Sequence, residues 1–147
     1  MSRLFRSFLS IVLVAVTTLL VSCSSPTTAK IPTTYTPEKI ESLQTQLAPI
    51  QKVRERMSEL GNLIEDENWT GVRGLVRGPF GFLRQDMRYL SEKLLNKDQK
   101  KAQELANELF NDIVQIDSAA KERNYDVASA KFNEAIRNFD AFLDIIP

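Results

Sequence analysis

Four arginines and three carboxylates are the side chains of this sequence whose spacing could do chemistry. Arg73, Arg77, Arg84 and Arg88 follow one another at intervals of four, seven and four, which places all four on one face of a helix. Only Asp86 lies within that span, so the cations have no matching set of local carboxylates. One reading is a docking surface for an acidic partner, because guanidinium forks suit carboxylates at interfaces. The other is a solvated face whose charges pair with acids on a neighbouring helix. Glu104, Glu108 and Asp112 fall at i, i+4 and i+8, as a metal or acid–base site would require. No histidine and no second acidic helix converges on them by sequence. The better-supported reading is a solvated face opposite Leu105 and Leu109, with Lys100 and Lys101 as partners.

Composition narrows the choice further. The 147 residues hold no histidine and one cysteine, Cys23. That excludes a Ser-His-Asp triad, a Cys-His pair, Cys2His2 zinc fingers and the Glu-x-x-His pairs of di-iron bundles. It also excludes an internal disulfide. Phosphate-cradling glycine loops and nucleophile elbows are absent as well. Enzymes built on carboxylates or lysine survive this filter, but no catalytic residue and no metal ligand is singled out, and the expectation is a chain that is not an enzyme. With 19 basic and 19 acidic side chains the formal charge is zero, which argues against a nucleic-acid partner. The length fits one domain.

Residues 1–22 read as an address. Arg3 and Arg6 precede Ser7 to Val21, fifteen residues without a charge. A spanning helix needs about 20 apolar residues, so the run is short for an anchor and suited to a signal segment. It ends at Leu20-Val21-Ser22-Cys23. That ending resembles a bacterial lipobox, which implies cleavage before Cys23 and its modification with diacylglycerol and an acyl chain. The alternative is a structural cysteine placed there by chance. Without residues 1–22 the chain keeps 17 basic and 19 acidic side chains, a net charge of −2, so lipid rather than charge must hold it to a bilayer.

Residues 23–36 are rich in Ser, Thr and Pro and predict a flexible tether spanning roughly 20 Å. Residues 37–147 predict an all-α domain, an up-down-up-down four-helix bundle. The first helix starts at Thr36-Pro37-Glu38 and carries Ile40, Leu43, Leu47, Ile50, Val53, Met57, Leu60 and Ile64 at steps of three and four. Pro49 predicts a kink within it. The second follows Asn68 with Trp69, Val72, Val76, Phe80, Leu83, Met87, Leu90 and Leu94, and breaks near Pro79. Asn96-Lys97-Asp98 predicts a short turn. The third carries Ala102, Leu105, Leu109, Ile113, Ile116 and Ala120. The fourth, after Asn124, carries Ala128, Phe132, Ala135, Phe139, Phe142 and Ile146. Asn68-Trp69-Thr70 matches a glycosylation pattern that has no meaning behind a bacterial signal, and Trp69 reads as a packed cap on the bundle end.

Particular residues suggest a family. Trp69 … Val72-Arg73-Gly74 with Gly78-Pro79-Phe80-Gly81-Phe82-Leu83-Arg84 … Met87 resembles the second helix of the PsbQ-like proteins. Asp98-Gln99 … Ala102, Asp117 … Ala119-Ala120 and Phe139-Asp140 … Phe142-Leu143 are similar to that family's third and fourth helices. Cyanobacterial members are lipoproteins, which fits Cys23. The resemblance implies a non-catalytic extrinsic subunit of photosystem II on the lumenal face of the thylakoid membrane. Its partners would be the core antenna and other extrinsic lumenal subunits, with the membrane reached through the lipid. It would bind no cofactor directly, but would stabilise the oxygen-evolving complex and help retain calcium and chloride at the manganese cluster. Trp69, Gly78, Pro79, Gly81 and Leu83 are carried over as motif positions of structural character. The alternative is a periplasmic lipoprotein bundle that binds a small ligand or metal ion between its helices.

Overall fold

The computed structural model describes residues 33–147; the signal segment 1–22, Cys23 and the tether up to residue 32 lie outside the described residues. Among the described residues all regular structure is helical. Six segments follow one another: α1 (Pro37–Glu55), α2 (Met57–Glu65), α3 (Trp69–Arg77), α4 (Leu83–Lys93), α5 (Asn96–Glu122) and α6 (Tyr125–Ile145).

Local chemistry sets most of these boundaries. Thr36 caps α1, its Oγ1 accepting from the Lys39 amide at 3.3 Å, and Pro37 takes a first-turn position where no donor is missed. Asn68 caps α3 through the Gly71 amide at 3.0 Å, and Asn124 caps α6 through Val127 at 3.1 Å. Two helices end in left-handed residues. After α2, Glu67 has φ 50°, and the Asn68 and Glu67 amides reach back to the carbonyls of Leu63 and Ile64. After α5, Arg123 has φ 56°, and the Asn124 and Arg123 amides reach Ala119 and Ala120. Both are Schellman closures, with a charged residue where glycine is usual.

The expected first helix is two segments, and the interruption is not at its proline. α1 runs through Pro49, whose ring lies on the exposed side, so the Thr45 carbonyl it leaves unbonded faces water. The break falls at Arg56, whose amide bonds three residues back to Val53 in a tightened turn. The apolar stripe crosses it in phase, with Met57 and Leu60 fully buried. The break near Pro79 occupies Gly78 to Phe82. There Phe80 folds into the core, and a Cβ on Gly81 would lie 3.1 Å from the Arg77 carbonyl and 3.2 Å from that of Gly78. Backbone cannot yield as a side chain can, so the bend needs glycine.

The turn expected at Asn96-Lys97-Asp98 is instead helix. The chain reverses at Leu94 and Leu95, both extended and both buried. Burying two leucines fixes the corner there and leaves Asp98 in the first turn of α5, where the helix dipole favours an acid. Tyr35, within the segment read as tether, is packed against the core. Its hydroxyl accepts from the Leu95 amide at 3.1 Å and donates to the Asp98 carboxylate at 2.8 Å.

The segments pack in a continuous circuit: α1 on α4, α2 on α3 and α6, α3 and α4 on α5, and α5 along α6. One hydrophobic core joins them, with Leu43, Ile50, Met57, Leu83, Leu109, Phe139 and Phe142 among its fully buried side chains. The buried polar residues of the described chain are Ser91 and Asp112.

Candidate functional site

The four arginines lie along α5. Arg77 forks onto Asp117, Nε to Oδ1 at 3.1 Å and Nη2 to Oδ2 at 2.8 Å, and Arg73 Nε approaches the same Oδ1 at 3.4 Å. Beyond the Gly78–Phe82 bend, the Arg84 guanidinium stacks 5.3 Å from the centre of the Phe110 ring. Arg88 lies over Tyr89 at 5.0 Å and is 4.0 Å from Glu92. Because α5 runs antiparallel to α3 and α4, partners at 117 and then 110 keep the arginines in one line across the bend. Two of the four thus pair with an acid on a neighbouring helix, while Arg84 and Arg88 border a cleft of about 310 Å3 with Gln103, Asn107 and Phe110. Arg77, the largest influence, holds the Asp117 carboxyl below the ordinary carboxylate range, aided by Arg73.

The motif positions serve the bend and the core. Leu83 is fully buried, Pro79 is half-buried, and Gly78 and Gly81 sit against backbone carbonyls. Trp69 packs on the core edge at the start of α3. Between Phe80 and Leu83, Phe82 points outward and is 74% exposed.

The three carboxylates of α5 do not gather. Glu104 and Glu108 are exposed, with Glu104 3.8 Å from Lys100. Asp112 departs from the solvated face expected for it: only 4% exposed, it turns toward α6. There it accepts from Asn138 Nδ2 at 2.8 Å, and the Lys131 ammonium stands 3.6 Å away. Burial raises the Asp112 pKa, against the opposing pull of Asn138 and Lys131. The reason is the width of the buried face of α5, which meets α3 and α4 on one side and α6 on the other. Lys131 also bonds Glu134 at 2.6 Å. Among the described residues no group of three or more His, Cys, Asp or Glu side chains is placed to hold a metal ion.

Among the described residues the line of arginines stands beside a glycine-proline bend. The whole sequence identifies the family. Residues 3–147 match PsbQ, oxygen evolving enhancer protein 3. The chain belongs to the PsbQ family. It is 50% identical over 148 residues to CyanoQ of Synechocystis sp. (strain ATCC 27184 / PCC 6803 / Kazusa), a match that covers 100% of this chain and 98% of that protein. PsbQ proteins are non-catalytic, and this chain is not an enzyme. The family and the CyanoQ relative support an extrinsic subunit associated with photosystem II on its lumenal side. Among the described residues no helix is long and apolar enough to cross a membrane.

Proposed function

We propose that this PsbQ protein stabilises the oxygen-evolving complex of photosystem II and helps retain its calcium and chloride. It acts by docking to the core antenna and other extrinsic subunits, and is held at the lumenal face of the thylakoid membrane by lipid on Cys23. No ion is bound by the chain itself in this reading; retention follows from covering the complex. The observation that carries it is the PsbQ match along the whole chain, joined to an arginine line of which Arg84 and Arg88 border an open cleft. The body that docks is read as a four-helix bundle in up-down-up-down order, with α1–α2 and α3–α4 as two broken legs and α5 and α6 as two whole ones. Support comes from the stripes that stay in phase across both breaks and from the closed circuit of packing.

Purification of a C-terminally tagged chain from native membranes, with and without Cys23→Ala, tests this. Co-purification of photosystem II core subunits, weakened by loss of the cysteine, is expected. Recovery of no photosynthetic subunit contradicts the docking role, and equal recovery from the variant contradicts the anchor.

A further inference from the structure

The face that α4 and α5 share carries apolar side chains that the fold leaves in water. Among the described residues, Phe82 is 74% exposed, Val114 66% and Tyr89 45%. Phe82 immediately precedes α4 and Tyr89 lies within it. Val114 stands one helical turn beyond Phe110, the residue beneath the Arg84 guanidinium. The cleft of about 310 Å3 opens on the same side, with Arg84 and Arg88 from α4 and Gln103, Asn107 and Phe110 from α5. Its one carboxylate, Glu92, meets two guanidiniums and stands 4.0 Å from Arg88.

Phe82 costs the fold a cap. It holds the N-cap position of α4 with no side-chain hydrogen bond, where Ser, Thr, Asp or Asn would satisfy an amide. Aromatic rings beside arginines are the pairing suited to a headgroup layer. The ring has an apolar body for the lipid edge, and the guanidinium forks onto phosphate. Position points the same way. Tyr35 is bonded to Leu95 and Asp98, at the corner where α4 gives way to α5 and close to the Ser91–Glu92 end of the cleft. Cys23 lies twelve positions earlier, which is about 20 Å for a flexible chain and about 40 Å at full stretch. Arg88 and Arg84 stand seven and eleven positions from Leu95, roughly 10 and 16 Å along the helix. A bilayer holding acyl chains on Cys23 is kept within reach of this face, and that confinement makes weak contacts effective.

We propose that the α4–α5 face rests on anionic lipid headgroups, with Arg84 and Arg88 on their phosphates and Phe82 and Tyr89 at the apolar boundary. The contact is peripheral, since no described helix is long and apolar enough to cross a membrane. The proposal rests on the reading of Cys23 as a lipid anchor and goes beyond the docking role. The cleft meets lipid while the anchored protein is unbound, and exchanges it for a photosystem subunit on docking.

Hydroxyl-radical labelling of the acylated protein, purified from native membranes and reconstituted on vesicles, provides the test. Labelling of Phe82 and Tyr89 is expected to fall about threefold on phosphatidylglycerol vesicles relative to phosphatidylcholine vesicles. Tyr125, exposed at the start of α6, should be labelled equally on both. Arg84→Gln combined with Arg88→Gln should abolish the protection. Lys121→Gln combined with Arg123→Gln, the same charge change elsewhere, should preserve it. Thermal melting checks the folding of both double variants, and the wild-type footprint decides the question if either unfolds. Equal labelling on the two lipids overturns the headgroup contact. Protection of Tyr125 together with Phe82 overturns the assignment to this face. Labelling unchanged by lipid but lost on adding photosystem II core complexes gives the face to a protein partner, and spares the docking role. An N-terminal peptide without acyl chains, read in the same mass spectra, overturns the anchor and this proposal with it, and leaves the docking role standing.

Discussion

Asp112 shows what burial does to one carboxylate. Desolvation favours its neutral form, and Asn138 and Lys131 offset that only in part, so its pKa stands above the ordinary value. A carboxyl with a raised folded pKa binds its proton more tightly folded than unfolded. Its charge therefore weighs against the fold, and stability is lost as pH rises from the unfolded pKa through the folded one. Asp112→Asn keeps an acceptor for Asn138 and removes that charge. In urea unfolding, the stability of the variant relative to wild type should improve as pH rises above about 4 and then level off. A difference that stays constant with pH contradicts this account. Tyr35 makes the complementary case of a polar group that ties. Its hydroxyl serves the Leu95 amide and the Asp98 carboxylate together, and α5 has no side-chain cap of its own at Leu95. Tyr35→Phe should lower unfolding stability by about 1–3 kcal/mol, since it strands a half-buried donor as well as removing a charge-assisted bond. An unchanged midpoint in urea means that the tie carries no load.

Helix α3 sets two glycines a turn apart in opposite circumstances. A Cβ on Gly71 would lie 2.7 Å from Leu63 Cδ2 and 3.1 Å from the Asn68 side chain that caps the helix, whereas one on Gly74 would meet nothing. Gly71→Ala should therefore disturb the cap and the α2–α3 contact and cost about 1 kcal/mol. Gly74→Ala should gain about 0.5–1 kcal/mol from helix propensity alone. Thermal melts of the two variants that move in the same direction refute this contrast. At this scale the sequence was legible where local chemistry decides. Thr36, Asn68 and Asn124 are side-chain caps with recognisable neighbours, and steps of three and four from Leu43 to Ile64 mark a buried stripe whatever the backbone does at Arg56. It was illegible where tertiary contact decides. Pro49 is harmless because its side of α1 faces water, and the corner at Leu94-Leu95 is set by burial, which overrides the turn chemistry of Asn96 and Asp98. Asp112 was misplaced for the same reason, because a stripe of single width cannot show that α5 is covered on two sides.

For the molecule as a whole, two arginine–aspartate forks join helices that are distant in sequence. Arg77 with Arg73 ties α3 to α5 through Asp117, and Arg54 ties α1 to α6 through Asp140, with contacts of 2.6 and 2.9 Å. The arginine spacing announced a charged face, but only the antiparallel packing reveals Asp117 as its partner, and nothing local marked Arg54 at all. The sequence could likewise pick out Trp69 but not its pairing with Arg123, 54 positions on, which depends on two Schellman turns meeting at one end. Both aspartates are held below the ordinary range by their arginines. A depressed carboxyl contributes stability that is fully present above its unfolded pKa of about 3.9 and is lost as pH falls through the folded value. The two ties should therefore loosen together in acid, below about pH 4, while the apolar core is indifferent to the change. Arg54 and Asp140 remain partly open to solvent, so their coupling is modest. A double-mutant cycle with Arg54→Met and Asp140→Asn should give about 0.5–1 kcal/mol near neutrality, at the upper end for exposed pairs because both oxygens are engaged. The same cycle at about pH 2 should give a coupling near zero, because the protonated Asp140 no longer carries the charge that the fork grips. A coupling that survives at that pH assigns the α1–α6 tie to packing of the arginine stem, and acid would then leave that side of the bundle closed.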